Sequence, residues 1–408
     1  MGLDEIYMLR CLQLARRGMS RVSPNPWVGA VLAKDSELGA KAYPKLEKIL
    51  AEGWHARFGE AHAEQALLNS LPVDFDYSGT TLYVNLEPCA HVGKTPPCAN
   101  LLIEKGIRRV VVGMLDPNPQ VAGKGIALLK SAGIAVELGV LEKECMFFNR
   151  RFVVNQLFER AHTMLKWAES SDGLMDGIDP NRSIISGSDA HHWVHEQRAM
   201  VDAILVGIDT WQKDKPRLNI RHGLPGAMEA NIDSTHPQKN PVRVVLDRHL
   251  RGQYDKESLA RSDGNLLIVY EEGAAIKAYG ATASKGTTID CNGALPDGVT
   301  TITKTGKDIK SAESQAYLLE MPKQYSMPML MKVLLELGIA SVMVEGGAKV
   351  LAMFINDGCV DEVHILRSQT VLLEKGLKAP EWTGPALTQE STMGNDAHWS
   401  WYSKASVS

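Results

Sequence analysis

Apolar and polar positions along the chain fall into two series of alternating helices and strands. Near the start, Ile6, Leu9, Leu12 and Leu14 with Ala15 set an approximate apolar stripe that predicts a helix. Residues 80–86, with an aromatic and β-branched side chains, and residues 108–114, RRVVVGM, which read as a buried strand, predict two strands. Between them, residues 98–105 read as a helix that stops at Gly106. A strand, a loop, a helix and a strand in that order imply a parallel pair. A helix over 123–131 before Gly133 and a strand over 134–138 continue the alternation, so a first α/β domain is expected to span residues 1–149.

The second series, in residues 150–408, opens with a strand over 162–168, followed by a helix over 188–200 and strands over 202–207 and 242–247. Gly, Pro and Asn accumulate over 217–241, which predicts a long surface connection. Pro328 opens a helix whose Leu330, Val333, Leu334 and Leu337 share one face, and Gly338 closes it. A strand over 341–345, the pair Gly346-Gly347, a helix to Asp357 and a strand over 360–366 follow, giving a second α/β domain. The last forty or so residues show little periodicity. There is no internal repeat and no low-complexity segment.

A chain of 408 residues with 44% apolar and 23% charged residues has material for two or three folded domains. The net charge of -4 lacks the basic excess of a protein that tracks a phosphate backbone, so no nucleic-acid partner is expected. No apolar run approaches the ~18 residues of a membrane span, and residues 1–18 carry charges throughout, unlike a signal peptide. A cytoplasmic protein without a membrane partner is the expectation. Six cysteines are too few for a disulfide scaffold, and only Cys89 and Cys98 lie close in sequence.

Those two cysteines carry the first chemistry. His62-Ala63-Glu64 opens a helical stretch, Pro88-Cys89 follows a predicted strand, and Cys98 opens the next helix after Pro96-Pro97. His62, Cys89 and Cys98 are suited to one zinc ion, with a fourth position left for a water whose pKa the metal lowers towards ~7. Glu64 would shuttle that water's proton. His-x-Glu before Pro-Cys is the zinc-deaminase signature, its usual Cys-x-x-Cys spacing widened here to eight intervening residues.

In order, Pro24-Asn25-Pro26-Trp27-Val28-Gly29, Gly53-Trp54-His55, His62-Ala63-Glu64, Glu87-Pro88-Cys89, Gly93-Lys94-Thr95-Pro96-Pro97-Cys98 and Asp116-Pro117-Asn118-Pro119 complete a pattern. It resembles the bifunctional riboflavin-biosynthesis deaminase and reductase family, over residues 4 to about 365. The resemblance implies a cytidine-deaminase-like α/β/α domain that hydrolyses the exocyclic amine of a diaminopyrimidinone ribosyl phosphate. By it, Asn25 and His55 face the pyrimidine, Lys94 the phosphate, and Asp116 and Asn118 the ribose. The segment between Lys34 and Gly53 looks about ten residues longer than the family's usual connection.

The same resemblance makes the second half a dihydrofolate-reductase-like α/β domain that uses NADPH to reduce the ribosyl group to ribityl. Lys166-Trp167-Ala168-Glu169-Ser170-Ser171-Asp172-Gly173, Arg198, residues 207–214, Leu218-Asn219-Ile220-Arg221 and Glu345-Gly346-Gly347 carry it. Gly346 and Gly347, between a strand and a helix, let backbone N–H groups approach a pyrophosphate. No Gly-x-Gly-x-x-Gly follows a strand, so a Rossmann site is not supported. Arg198 and Arg221 offer forked donors for the substrate phosphate. The resemblance assigns Ala168, Thr210 and Asp214 to NADPH, and Leu218 and Glu345 to the substrate, with Lys166 in support. It departs at Arg182-Ser183-Ile184 and after His364. A homodimer or homotetramer is a further family expectation. Two other readings stay open at this point: a nucleoside or RNA deaminase fused to an unrelated domain, and a non-catalytic binding protein stabilised by zinc.

Overall fold

A computed structural model describes residues 1–19, 21–34, 48–90, 97–178, 184–221, 240–252, 254, 265–274, 299–302 and 316–404. Lys94, Arg182, Ser183, most of the 217–241 connection and most of the segment between Lys34 and Gly53 lie outside the described residues. The chain divides into two units, Met1–Phe158 and Glu159–Ser403. No helix among the described residues is long and apolar enough to cross a membrane.

The first unit runs α1 (Leu3–Ala15), β1 (Gly29–Lys34), β2 (Ile49–Trp54), α2 (Ala63–Asn69), β3 (Thr80–Val84), α3 (Cys98–Glu104), β4 (Arg109–Val112), α4 (Lys124–Ser131), β5 (Ala135–Leu138), α5 (Glu142–Phe148) and α6 (Arg150–Phe158). Its strands form one sheet in the order β2-β1-β3-β4-β5. β1 is antiparallel to β2 and β3, whereas β3, β4 and β5 are parallel, as the strand–helix–strand pattern predicts. Every residue of β3 is buried, which is why its sequence is β-branched, aromatic and apolar rather than alternating.

The face of α1 differs from the predicted stripe. Tyr7, Met8, Cys11, Leu12, Leu14 and Ala15 are buried, while Ile6 and Leu9 are only partly covered. The buried set keeps the i, i+3, i+4, i+7 spacing but is rotated, because Tyr7 and Met8 take the inward positions. α2 packs on β2 so closely that a Cβ at Gly53 would sit 2.3 Å from the carbonyl oxygen of Ala63. That contact fixes the helix that begins beside His62.

The second unit contains β6 (His162–Glu169), β7 (Leu174–Gly177), α7 (Ser188–Ala199), β8 (Ala203–Gly207), α8 (Ile208–Asp214), β9 (Val242–Leu246), β10 (Leu266–Glu271), β11 (Val299–Ile302) and β12 (Ala316–Met321). It continues with α9 (Met327–Glu336), β13 (Ser341–Val344), α10 (Ala348–Asn356), β14 (Glu362–Ser368), β15 (Gly376–Lys378), β16 (Thr388–Met393) and β17 (Asp396–Tyr402). Ten strands form one sheet in the order β11-β12-β10-β9-β8-β13-β6-β14-β17-β16, parallel from β11 to β14. β13 enters between β8 and β6, so the strand order reverses there. In open α/β sheets such a reversal leaves a crevice at the carboxyl ends of the strands.

The aperiodic tail is not without structure: β17 pairs antiparallel with β14 and β16 pairs with β17. The sequence hides this because the buried positions of β17 include Asp396, His398 and Ser400, while Trp399 and Trp401 alternate with them. A polar inward face carries no hydrophobic period.

His398 belongs to a buried chain of polar groups. His162 Nε2 lies 3.0 Å from Glu362 Oε1, His364 Nε2 lies 3.2 Å from Glu362 Oε2, and His364 Nδ1 lies 3.0 Å from His398 Nε2. The Trp193 ring of α7 packs on both His364 and His398. Burial, with His364 beside it, pushes His398 down to about 4. Unfolded, a histidine titrates near ~6.5, so below that pH the unfolded chain binds a proton that the native one refuses. The stability held by neutral His398 is therefore complete above pH ~6.5 and is lost as pH falls towards about 4. His398→Gln should flatten the fall in melting temperature between pH 7 and pH 4.5; an unchanged slope in thermal denaturation would count against this role.

Candidate active sites

His62 caps the start of α2 in extended backbone, and Glu64 follows in the first turn, buried to 3% exposure. Pro88 carries the chain from the end of β3 to Cys89, and Cys98 is the first residue of α3. His62 Nδ1 lies 3.7 Å from Cys89 Sγ and 3.5 Å from Cys98 Sγ. The edges of a tetrahedron with Zn–N and Zn–S bonds of ordinary length are about 3.5–3.8 Å, so the three donor atoms fit one zinc ion. No other group of three such donors is found among the described residues.

The electrostatics agree with that fit. The backbone N–H of Cys98, at the start of α3, donates to Cys89 Sγ at 3.3 Å. Hydrogen bonds from Cys98 and His62 hold Cys89 down, to about 4, while the thiolate beside it and burial push Cys98 up. A second thiolate in this pocket requires a cation. Burial, with Cys89 nearby, raises Glu64 to about 7, the range of a group that both accepts and returns a proton.

Asn25 and His55 stand beside this triad. Asn25 Nδ2 donates to His55 Nε2 at 3.1 Å, leaving Nδ1 to donate to the Ala61 carbonyl at 3.0 Å. Burial lowers His55, so its ring is neutral. The loop that carries Asn25 is held by two buried residues outside the expected set. Trp27 donates its N–H to Asn149 Oδ1 at 2.8 Å, and its carbonyl accepts from Asn85 Nδ2 at 3.0 Å. Asn85 Oδ1 also accepts from Gly29 N–H at 2.8 Å. An isolated Asn at a strand end or a helix junction carries no sequence signal for that work. Asp116 and Asn118 each accept a backbone N–H two residues on, from Asn118 and Gln120, at 2.9 Å. They shape a turn at the carboxyl end of β4.

In the second unit, Arg198 in the last turn of α7 grips Glu345 through Nε and Nη2 at 2.6 and 2.8 Å, and its Nη1 donates to the Asn219 carbonyl at 3.2 Å. The two side chains are only 12% and 10% exposed. Burial alone would raise Glu345, but Arg198, then Lys166 and His195, hold it down at about 2. Leu165 pairs with Val344, so Lys166, in the middle of β6, lies level with Glu345 just past the end of β13. Arg221 joins the cluster by donating its N–H to His195 Nδ1 at 3.2 Å. His195 was not among the expected residues; on α7 it lies one helical turn from Arg198, the only cue the sequence offers.

The crevice beside this cluster has a cradle of backbone. Gly347 N–H donates to Thr210 Oγ1 at 3.0 Å, and a Cβ at Gly346 would crowd Gly207 N at 3.2 Å. Thr210 lies in the first turn of α8 and Asp214 ends that helix, while α10 starts just after Gly347. These two strand-to-helix turns, with half-buried Ala168 at the end of β6, suit an approaching pyrophosphate. Leu218 is 3% exposed within the core, so any ligand contact falls to its backbone.

Residues 1–114 match the cytidine and deoxycytidylate deaminase zinc-binding region, and residues 161–372 match the RibD C-terminal domain. The chain is 31% identical to the riboflavin biosynthesis protein RibD of Aquifex aeolicus, over 91% of this chain and 88% of that protein. It is 34% identical to RibD of Bacillus amyloliquefaciens, over 89% and 83%. A solved diaminohydroxyphosphoribosylaminopyrimidine deaminase/5-amino-6-(5-phosphoribosylamino)uracil reductase from Thermotoga maritima superposes with a TM-score of 0.74 at 29% identity, covering 97% of each chain. RibD of Acinetobacter baumannii gives 0.72 at 26%, covering 98% of each. With a metal triad and an acid in one unit and a charge-clamped carboxylate beside a glycine cradle in the other, the chain belongs to the RibD family: a zinc-dependent deaminase and an NADPH-dependent reductase of riboflavin biosynthesis.

Proposed function

We propose that residues 1–149 hydrolyse the exocyclic amine of a diaminopyrimidinone ribosyl 5-phosphate and that residues 150–408 then reduce its ribosyl group to ribityl. The observation that carries the reading is the triad of His62, Cys89 and Cys98 with buried Glu64 beside it. Zinc held there lowers the pKa of water enough to supply a nucleophile at neutral pH. Glu64 carries the two protons of the attacking water in turn, the first to the ring nitrogen and the second to the departing amine, which leaves as ammonia. Asn25 and neutral His55 orient the pyrimidine, Asp116 and Asn118 the ribose, and Lys94 the phosphate.

In the second site Glu345 meets the opened ribose, and Arg198 reaches the substrate through Glu345 by fixing its charge and its rotamer. Lys166 supports that carboxylate, and Arg221 with the backbone of Leu218 contacts the substrate. Gly346, Gly347, Thr210, Ala168 and Asp214 hold NADPH, which supplies the hydride; the protein's part is to fix geometry and exclude water. The same reading makes the protein cytoplasmic, in keeping with its free described cysteines, and a homodimer or homotetramer.

The direct test follows ammonia release and NADPH oxidation separately, with and without a chelator. Ammonia release that precedes NADPH loss, with only the former sensitive to zinc removal, is expected; ammonia without NADPH loss would refute the reductase half. Glu64→Gln should retain zinc and lose about a hundredfold or more in deamination while NADPH oxidation on the deaminated product is unchanged. Full deaminase turnover in that variant would exclude Glu64 as the proton carrier.

Glu345 offers a pH test. Held at about 2, it stays ionised through the acid limb of the reductase profile. Arg198→Gln removes the opposing charge and leaves the burial, so the carboxyl rises and the acid limb should move to higher pH, with kcat/KM down about tenfold or more. An unmoved limb in the pH–rate profile would show that Arg198 does not set this charge.

A further inference from the structure

Glu87 follows β3, two residues before Cys89, and is 5% exposed. Its carboxylate accepts four backbone N–H groups. Oε2 receives Asp116 at 3.1 Å and Gly123 at 2.9 Å, and Oε1 receives Gly125 at 2.8 Å and Ile126 at 3.2 Å. Three of these lie at the start of α4, where a negative charge meets the positive end of the helix, and the fourth belongs to the loop of Asp116 and Asn118. The backbones approach equally closely: a Cβ at Gly125 would sit 2.0 Å from the Pro88 carbonyl oxygen. Glu87 N–H donates to the Met114 carbonyl at 2.9 Å. One buried carboxylate thus joins the strand end that delivers Cys89 to the turn that presents Asp116.

We propose that Glu87 is a positioning residue for deamination: it sets the distance between the metal triad and the Asp116–Asn118 turn, and so the register of the substrate's ribose against the reacting ring. This rests on the reading that Asp116 contacts the ribose. Cys89 has its own ties, the Cys98 N–H on its sulfur and the Ala99 N–H on its carbonyl at 3.1 Å. Loosening Glu87 therefore moves the turn and spares the triad. A carboxylate suits the task because it accepts at both oxygens; an amide puts a donor against two of the N–H groups.

The test is a double-mutant cycle on the full chain with the diaminopyrimidinone ribosyl phosphate, reading ammonia release. Glu87→Gln is expected to raise the deaminase KM about tenfold, with kcat within about twofold, zinc content unchanged and NADPH oxidation on the deaminated product unchanged. Asp116→Ala raises KM by itself, and the double variant raises it no further, because Glu87 acts through that turn. Zinc loss with a fall in kcat, a wild-type KM in Glu87→Gln, or additive effects in the double variant overturns the proposal. A wild-type KM in Asp116→Ala instead removes the ribose reading beneath it. If Glu87→Gln does not yield a folded deaminase, Glu87→Asp, with both oxygens kept on a shorter stem, carries the same cycle.

Discussion

A negative charge taken out of water must be answered by a cation or by a set of N–H groups, and this requirement organises both halves of the chain. It is met differently each time. Glu345 is answered by a forked guanidinium, Glu87 by backbone amides, and Asp361 by Arg160 at 2.6 and 2.8 Å together with the Thr163 N–H at 2.8 Å. The thiols of Cys89 and Cys98 are answered by helix α3 and His62 for one charge, and by a metal for two. Where the answer is incomplete, as at Glu64, the proton affinity climbs into the working range of an acid–base group. Catalytic competence and structural economy come from the same rule applied to different degrees.

Much of the fold was legible from residues alone because the parallel strands are buried on both sides. β3, β8 and β9 are apolar or β-branched apart from Tyr83 and the buried Arg243, and the helices between the strands end at Gly106, Gly133 and Gly338. The rotated face of α1 shows where periodicity stops helping: with apolar residues at Ile6, Tyr7, Met8 and Leu9, several faces satisfy the spacing and packing against β1 selects one. The C-terminal strands were illegible for the opposite reason, since the inward positions of β17 are occupied by His398 and Ser400.

The candidate sites divide in the same manner. His62, Glu64, Cys89 and Cys98 could be read because metal chemistry restricts residue type and spacing together. Asn85, Asn149 and His195 could not, because each works through one or two hydrogen bonds that the fold creates by bringing distant segments together. Trp27 and Asn149 are separated by 122 positions and still exchange two hydrogen bonds, at 2.8 and 3.1 Å.

That last pair bears on how the chain can be divided. The match to the deaminase zinc-binding region ends at residue 114, yet the loop that carries Asn25 is pinned by Asn149, at the junction of α5 and α6. The catalytic module is longer than its recognisable signature. A recombination between those points would separate the signature from its brace, and the first unit of the fold runs on through α6 to Phe158.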